Sequence, residues 1–411
     1  MKMTRHHLPS SVIAAVLALG IAPNAANAQT VQSQAQNINI SFNGPKDQFP
    51  YTDQFFMATD AYYQSIGRVS MPGNRHCHVY MSWDAGTQQA GSGDVSKEGS
   101  RAWFEDFLAA AQGHCDRVLV SFKNITGVTV TSPNGYPQVA TYQTAIGKFL
   151  NTDWSYAGWT NGKTTFDYTA WNEPNLASGG GDGYDNLQIP AERAADYYLV
   201  LRAACTASNC GQIAAGDFGS NGSTAWEDFV QQCSNDVATP LCSNASYIDA
   251  YKHWIAIDET NYGFSSTFRP EVFSYHGWDD INNYINSSYD CTDPQMCTIK
   301  AFFNAMNNSG WTGSALWDTE VAAGQNPESN PAAPLQACAA AWLLNLTAST
   351  SSRFARIYYT QPWDSNGQYW SLFTSAHARE HLRARRTWPA PALLRKLPCL
   401  QKLAWVDEYA R

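Results

Sequence analysis

Phe166-Asp167-Tyr168-Thr169-Ala170-Trp171-Asn172-Glu173-Pro174-Asn175 is a β-prone run that breaks abruptly into a turn. Its aromatic and β-branched residues favour an extended strand. Pro174 then removes a backbone donor and fixes its own φ, and Asn175 suits a turn. The run therefore sets a carboxylate, Glu173, at the C-terminal end of a strand. Seven further runs share its character: Ile38–Asn43, Cys77–Asp84, Arg117–Lys123, Gln212–Asp217, Glu271–His276, Ser314–Thr319 and Arg356–Gln361. Between the eight runs lie helical candidates at Gln54–Ser65, Ser100–Ala111, Val139–Phe149, Ala191–Thr206, Tyr247–Ile257, Thr298–Asn307 and Leu335–Leu346, and an eighth helix is expected after Phe373. Such alternation is that of βα units around a parallel sheet. The strand count predicts an α/β protein of the (β/α)8 TIM-barrel type, since an open doubly wound sheet carries about five or six strands.

In such a barrel the reacting groups sit at the C-terminal ends of the strands. The seventh run ends in Trp317-Asp318-Thr319-Glu320, so a second carboxylate stands three units away from Glu173. A pair of carboxylates facing each other across the barrel mouth is what double displacement at a glycosidic bond requires: one protonates the leaving oxygen and the other attacks the anomeric carbon, with the carboxyl groups ~5–5.5 Å apart. Asp318 competes with Glu320 for the second role, with the facing of their neighbours depending on whether Thr319 is regular, and Glu320 is preferred. Asn172 offers both a donor and an acceptor to a sugar hydroxyl. His276 or Tyr275, closing the sixth strand, is placed to hydrogen-bond the nucleophile. Trp171, Trp278, Trp317 and Trp363 are candidates for stacking platforms or for barrel packing, and Asp217 and Lys123-Asn124 for further hydroxyl contacts. Proximity of two like charges predicts that Glu173 is held protonated near neutrality by Glu320.

Other chemistries find little support. No dinucleotide fingerprint or P-loop follows an early strand, Gly179-Gly180-Gly181 lacks a following Lys-Ser/Thr, and no Gly-x-Ser-x-Gly elbow is present. His76-Cys77-His78 opens a strand rather than closing one and lacks carboxylate partners, so neither a metal nor any other cofactor is expected.

Three stretches carry a resemblance to a known group: Trp171-Asn172-Glu173-Pro174-Asn175, Ser274-Tyr275-His276-Gly277-Trp278 and Trp317-Asp318-Thr319-Glu320. Together they resemble the clan A retaining glycoside hydrolases, in particular the family 39-like and family 5-like sets, over most of the span from Ile38 to Phe373. The resemblance implies Glu173 as acid/base, Glu320 as nucleophile, Asn172 as donor to the sugar 2-hydroxyl, and a β-linked substrate; Trp278 stands where some relatives place a tyrosine. The expectation is a retaining glycosidase acting on a poly- or oligosaccharide. A carbohydrate-binding barrel without turnover, a disabled glycosidase and a transglycosylase are the alternatives.

Composition agrees with a large folded enzyme. The 411 residues are 44% hydrophobic and 15% charged, with 15 Trp, 21 Tyr and 18 Phe, and the net charge of −9 argues against nucleic acid as a partner. A carbohydrate substrate and a monomeric state are expected. Lys2 and Arg5, the apolar run Val12–Ile21 and Ala26-Asn27-Ala28 read as a signal peptide over 1–28. This points to a secreted or periplasmic protein that leaves no membrane segment behind. A flexible lead-in at 29–37 and the catalytic domain at 38–375 follow. Export makes the ten cysteines a disulfide set: Cys205 with Cys210, Cys233 with Cys242, and Cys291 with Cys297 by proximity, Cys77 with Cys115 across neighbouring strands, and Cys338 a buried thiol. From 376 to 411 the character changes, with a balance of +5 against −14 for the rest. The stretch is either a basic tail for anionic surfaces or an altered reading frame replacing the last helix. The second reading is preferred and predicts low stability, because an uncovered barrel strand exposes apolar surface. Thermal unfolding checks it: a transition well below those of ordinary mesophilic domains, which cluster at about 45–65 °C, is the expected result.

Overall fold

The computed structural model describes residues 38–41, 75–93, 95, 97–125, 127–130, 136–159, 165–175, 189–219, 233–234, 240–242, 247–264, 270–277, 314–321, 354–360, 363–364 and 373–374. Eight parallel strands form a curled sheet: β1 Ile38–Ser41, β2 His76–Ser82, β3 Arg117–Lys123, β4 Phe166–Thr169, β5 Ile213–Phe218, β6 Val272–His276, β7 Ala315–Val321 and β8 Phe354–Thr360. Their hydrogen-bonded order is β1-β8-β7-β6-β5-β4-β3-β2, and it closes because β1 pairs with both β8 and β2. Each strand coincides with one of the eight runs, with ends that differ by a few residues. Around the sheet lie α1 Arg101–Ala111, α2 Val139–Leu150, α3 Ala191–Ala204 and α4 Tyr247–Asp258. Ser100, read as the first residue of α1, is its N-cap and accepts from the Trp103 N–H.

The helices expected at Gln54–Ser65, Thr298–Asn307 and Leu335–Leu346, the signal peptide, the lead-in and the tail all lie outside the described residues. Two small pairings were not anticipated. Cys233–Ser234 runs antiparallel to Pro240–Cys242 with Cys233 opposite Cys242, and Trp363–Asp364 runs parallel to Phe373–Thr374. Among the described residues, no helix is long and apolar enough to cross a membrane.

Strand alternation sorts the side chains into two environments. Cys77, Val79 and Met81 of β2 and Val118, Val120 and Phe122 of β3 join the apolar layer under the helices, where they meet Phe104 and Phe107 of α1 and Ile146 and Phe149 of α2. The alternate residues face the barrel interior, and many are polar: His78 of β2, Ser121 of β3, Asp167 and Thr169 of β4, Thr319 of β7, all fully buried. A small apolar plug of Leu119, Ala214, Val272, Trp317 and Tyr358 fills part of that interior. At its N-terminal end, Arg356 of β8 reaches across to Asp167 of β4 (2.6 Å), donates to the Gln212 amide oxygen (2.9 Å) and lies over the Trp317 ring at 4.0 Å. Arg117 approaches the same carboxylate at 3.4 Å.

Two of the expected disulfides are formed, Cys77–Cys115 and Cys205–Cys210. The side chains of the other cysteines lie outside the described residues. The first bond ties β2 to the segment before β3 across 38 residues. By the loop-entropy relation, replacing both cysteines by alanine should lower unfolding free energy by about 4 kcal/mol. Urea unfolding of the double variant against wild type measures it.

Candidate active site

The end of β4 turns sharply. The Asn172 N–H donates to the Phe122 carbonyl (2.8 Å), the Glu173 N–H to the Asp217 carbonyl (2.9 Å), and the Ile189 N–H to the Pro174 carbonyl (2.9 Å). Asn175 exchanges two hydrogen bonds with the backbone of Gly219, each 2.9 Å. These bonds hold Glu173 at φ 48° and Asp217 at φ 60°, a left-handed backbone that non-glycine residues adopt at a cost. The turn is over-determined by its neighbours, which is how such a conformation persists.

Across the barrel mouth, β7 carries an irregularity. Tyr275 pairs with Asp318 but His276 pairs with Glu320, so Thr319 is the extra residue. Alternation is therefore broken where the competition between Asp318 and Glu320 is decided. Thr319 turns its hydroxyl inward to Asp217 (2.5 Å). The Asp318 carboxylate accepts from the Gly277 N–H (3.0 Å) and secures the turn after β6. Glu320 faces the mouth.

His276, at the end of β6, lies between the two glutamates. Its Nδ1 is 2.7 Å from Glu173 Oε1 and 3.3 Å from Glu320 Oε2, and its Nε2 is 3.6 Å from Asp217 Oδ1. One oxygen of each glutamate and this nitrogen all lie within 4.8 Å of one another. The trio has donor types that suit a cation, but an ion there has to displace the proton shared by Nδ1 and Glu173. The remaining contact was not foreseen: the Tyr80 hydroxyl, from β2, donates to Glu320 Oε2 at 2.5 Å. The Lys123 ammonium lies 4.9 Å from the centre of the Tyr80 ring. Tyr80 follows two polar residues at inward spacing, His76 and His78, and that period-two pattern was the available signal.

The electrostatic order differs from the sequence expectation. Burial alone would make the His276 ring less basic, but the carboxylates of Glu320, Glu173 and Asp217 outweigh it and raise its pKa well above the usual histidine value. Burial also lifts both glutamates. For Glu173 the adjacent imidazolium wins, helped by Lys123, and its pKa falls below the ordinary carboxylate value. For Glu320, burial and the Glu173 charge prevail over His276 and the Tyr80 hydroxyl, and its pKa is raised. The resting proton therefore belongs to His276 rather than to Glu173. His78 differs from His276: burial dominates and holds it neutral, with a pKa lowered to about 3.

Of the expected site residues, Glu173, His276 and Glu320 are brought together, and Asn172 adjoins them. Asn172 is 2% exposed, and its Oδ1 has no hydrogen-bond partner among the described residues. Three others are elsewhere. Trp171 packs outward against Tyr142 of α2 and Tyr197 of α3, with ring centres 6.3 and 5.2 Å away, because the chain turns before its side chain can reach the mouth. Trp317 points into the barrel interior, under Arg356. Tyr275 lies on the outward side of β6 in the layer beneath the helices, one position out of phase with His276. Trp278 lies outside the described residues.

No protein-family model matches this chain, and no curated protein sequence matches it. Solved structures similar to it include glycoside hydrolases. A monomeric beta-xylosidase from Caulobacter crescentus CB15 aligns at 13% identity and TM-score 0.49, over 85% of this chain and 68% of that one. A GH5_18 structure from Bifidobacterium longum subsp. infantis aligns at 11% identity and TM-score 0.47, over 83% and 75%. A family 5 xyloglucanase from Paenibacillus pabuli aligns at 11% identity and TM-score 0.45, over 84% and 95%. With identities and scores this low, the functional reading rests on the geometry of the site.

The Tyr80 hydrogen bond favours the ionised form of Glu320. Removing it by Tyr80→Phe should raise the Glu320 titration midpoint by roughly one pH unit. Carbon-13 NMR of the labelled carboxyl group, with Glu320→Gln as the assignment control, reads this without needing any turnover.

Proposed function

We propose that the protein is a retaining glycoside hydrolase built on a complete (β/α)8 barrel, with Glu173 as acid/base and Glu320 as nucleophile. The observation that carries this is the closeness of the two carboxylates, each with an oxygen inside the 4.8 Å cluster. Facing oxygens this close favour direct attack on a sugar ring, for which carboxyl groups stand ~5–5.5 Å apart, over an inverting arrangement with an intervening water, for which they stand ~6.5–9.5 Å apart. The likeness to glycoside hydrolase structures is of fold only and agrees with the reading.

Each side chain then has a task. Glu173, once protonated, gives its proton to the glycosidic oxygen. Glu320 attacks the anomeric carbon, and the Tyr80 hydroxyl aims its carboxylate and favours its ionised form against the burial and the Glu173 charge that raise its pKa. Asn172 faces the sugar 2-hydroxyl in this reading, its amide NH₂ able to donate to it, and its Oδ1, without a partner among the described residues, able to accept; a buried polar atom of this kind costs free energy until a ligand satisfies it. In the second step Glu173 takes a proton from a water whose oxygen bonds to the anomeric carbon as the bond to Glu320 breaks, and the sugar leaves with its configuration retained. The substrate is a β-linked poly- or oligosaccharide. The chain acts as an exported monomer, through the signal at 1–28, with 38–375 as its catalytic domain and no cofactor.

Release of reducing sugar from a panel of β-linked plant, fungal and bacterial polysaccharides tests the reading, with Glu173→Gln and Glu320→Gln beside the wild type. Each substitution should reduce turnover by about 10³-fold or more on whichever substrate is cleaved. Silence of a folded wild type across the panel favours a binding barrel or a disabled enzyme.

A further inference from the structure

Asp217 reaches His276, Thr319 and the backbone of Glu173 without facing the barrel mouth. It is the extra residue of a bulge in β5, since Gly216 pairs with Ser274 and Phe218 with Tyr275. Gly216, at φ 98°, has no room for a side chain: a Cβ there meets the Phe218 ring at 2.7 Å. Bulges of this kind re-aim a side chain, and here the fully buried Asp217 carboxylate is turned onto the barrel axis. Oδ1 accepts from Thr319, the residue before the nucleophile, and faces Nε2 of His276 at 3.6 Å. Oδ2 accepts from Thr169 (2.8 Å) and Ser121 (3.1 Å). The backbone carbonyl of the same residue takes the Glu173 N–H.

The hydrogen-bond donors on the carboxylate are neutral hydroxyls, and the imidazole, at ion-pair range, is its counter-charge. The charged or titratable groups facing His276 are Glu173 after β4, Asp217 of β5 and Glu320 of β7, with Lys123 of β3 and His78 of β2 farther off. Burial keeps His78 neutral, so it does not compete for the Asp217 charge. The Asp217 carboxyl, despite burial, is lowered to about 2, chiefly by His276.

We propose that Asp217 is a positioning residue for the acid/base: set behind Nε2, it keeps His276 doubly protonated, so that the Nδ1 proton is available to Oε1 of Glu173 when a glycosidic oxygen arrives. This rests on the glycosidase reading. In the transfer the Nδ1–H bond breaks and its electron pair stays on nitrogen, while an O–H bond forms on Glu173. An imidazolium and a carboxylate become a neutral imidazole and a carboxylic acid, and the Nε2 proton remains directed at Asp217. In the second half of the reaction, Glu173 takes a proton from water and returns it to Nδ1, which restores the starting state.

Nitrogen-15 NMR of histidine-labelled protein tests the proposal, with His276→Gln to assign the signal and Asp217→Asn as the variant. Asn keeps the size of the side chain and tolerates the left-handed backbone. Wild-type His276 should be doubly protonated at pH 7, and its midpoint should fall by at least about one pH unit in Asp217→Asn. Turnover supplies a second readout. Asp217→Asn should slow an unactivated glycoside about 10- to 100-fold, but a dinitrophenyl glycoside, whose leaving group needs no proton, by only about 3-fold or less. A neutral His276 in wild type at pH 7 overturns the proposal even where the variant fails to fold, and so does an unmoved midpoint. Equal loss on both substrates also overturns it, because a merely structural role affects the two alike. If the wild type cleaves no glycoside while the midpoint still depends on Asp217, it is the glycosidase reading that fails, and the coupling of Asp217 to His276 stands.

Discussion

A carboxylate on the axis of a parallel barrel is tolerable only when its lone pairs are taken, since an ion stripped of water and left unpaired costs far more than a domain can spare. Asp217 meets that condition with hydroxyls from three strands, while an imidazole on a fourth stands at ion-pair range, 3.6 Å from Oδ1. Because its partners come from β3, β4, β6 and β7, the residue fixes those strands relative to one another as well as its own environment. The depth of Thr319 in the barrel follows from this bond, and the direction of Glu320 follows from Thr319. The same residue receives the Glu173 N–H. Two carboxylates that would repel one another are thus held at the mouth by a structure organised around a third.

The polar interior changes how the barrel strands read as a sequence. His76-Cys77-His78-Val79-Tyr80-Met81-Ser82 alternates as a strand with one face in water does, yet all seven residues are buried. The polar face is turned to the barrel axis and the apolar face to the helices. The existence of the strands was legible because alternation is a local property, and the closing glutamates were legible because both follow strand-forming runs. The identity of the bond to Glu320 was not. Tyr80 is 240 residues from Glu320, and no local pattern joins them.

Three aromatic residues show the limit from the other side. Trp171, Tyr275 and Trp317 all lie near strand ends, where proximity to the mouth made each a reasonable contact for a sugar. Which way a side chain points is set by phase, and a shift of one residue exchanges the interior for the helix layer. Tyr275 and His276 are neighbours with opposite fates for that reason. At Thr319 the bulge altered the phase again, which is why the sequence left Asp318 and Glu320 in competition. The proton's resting place was hidden by the same kind of distance: the imidazole that takes it is 103 residues from Glu173.

At the closed end of the barrel, the link from Arg356 to Asp167 spans 189 residues and has a meaning for the order of assembly. A nascent chain acquires β3 and β4 long before β8. Until the last strand is made, Asp167 has Arg117 and the Gln212 N–H as its partners and must keep part of its hydration. Arrival of Arg356 lets that water leave and brings a cation over the face of Trp317. Seam closure is therefore an act of neutralisation as much as of strand pairing.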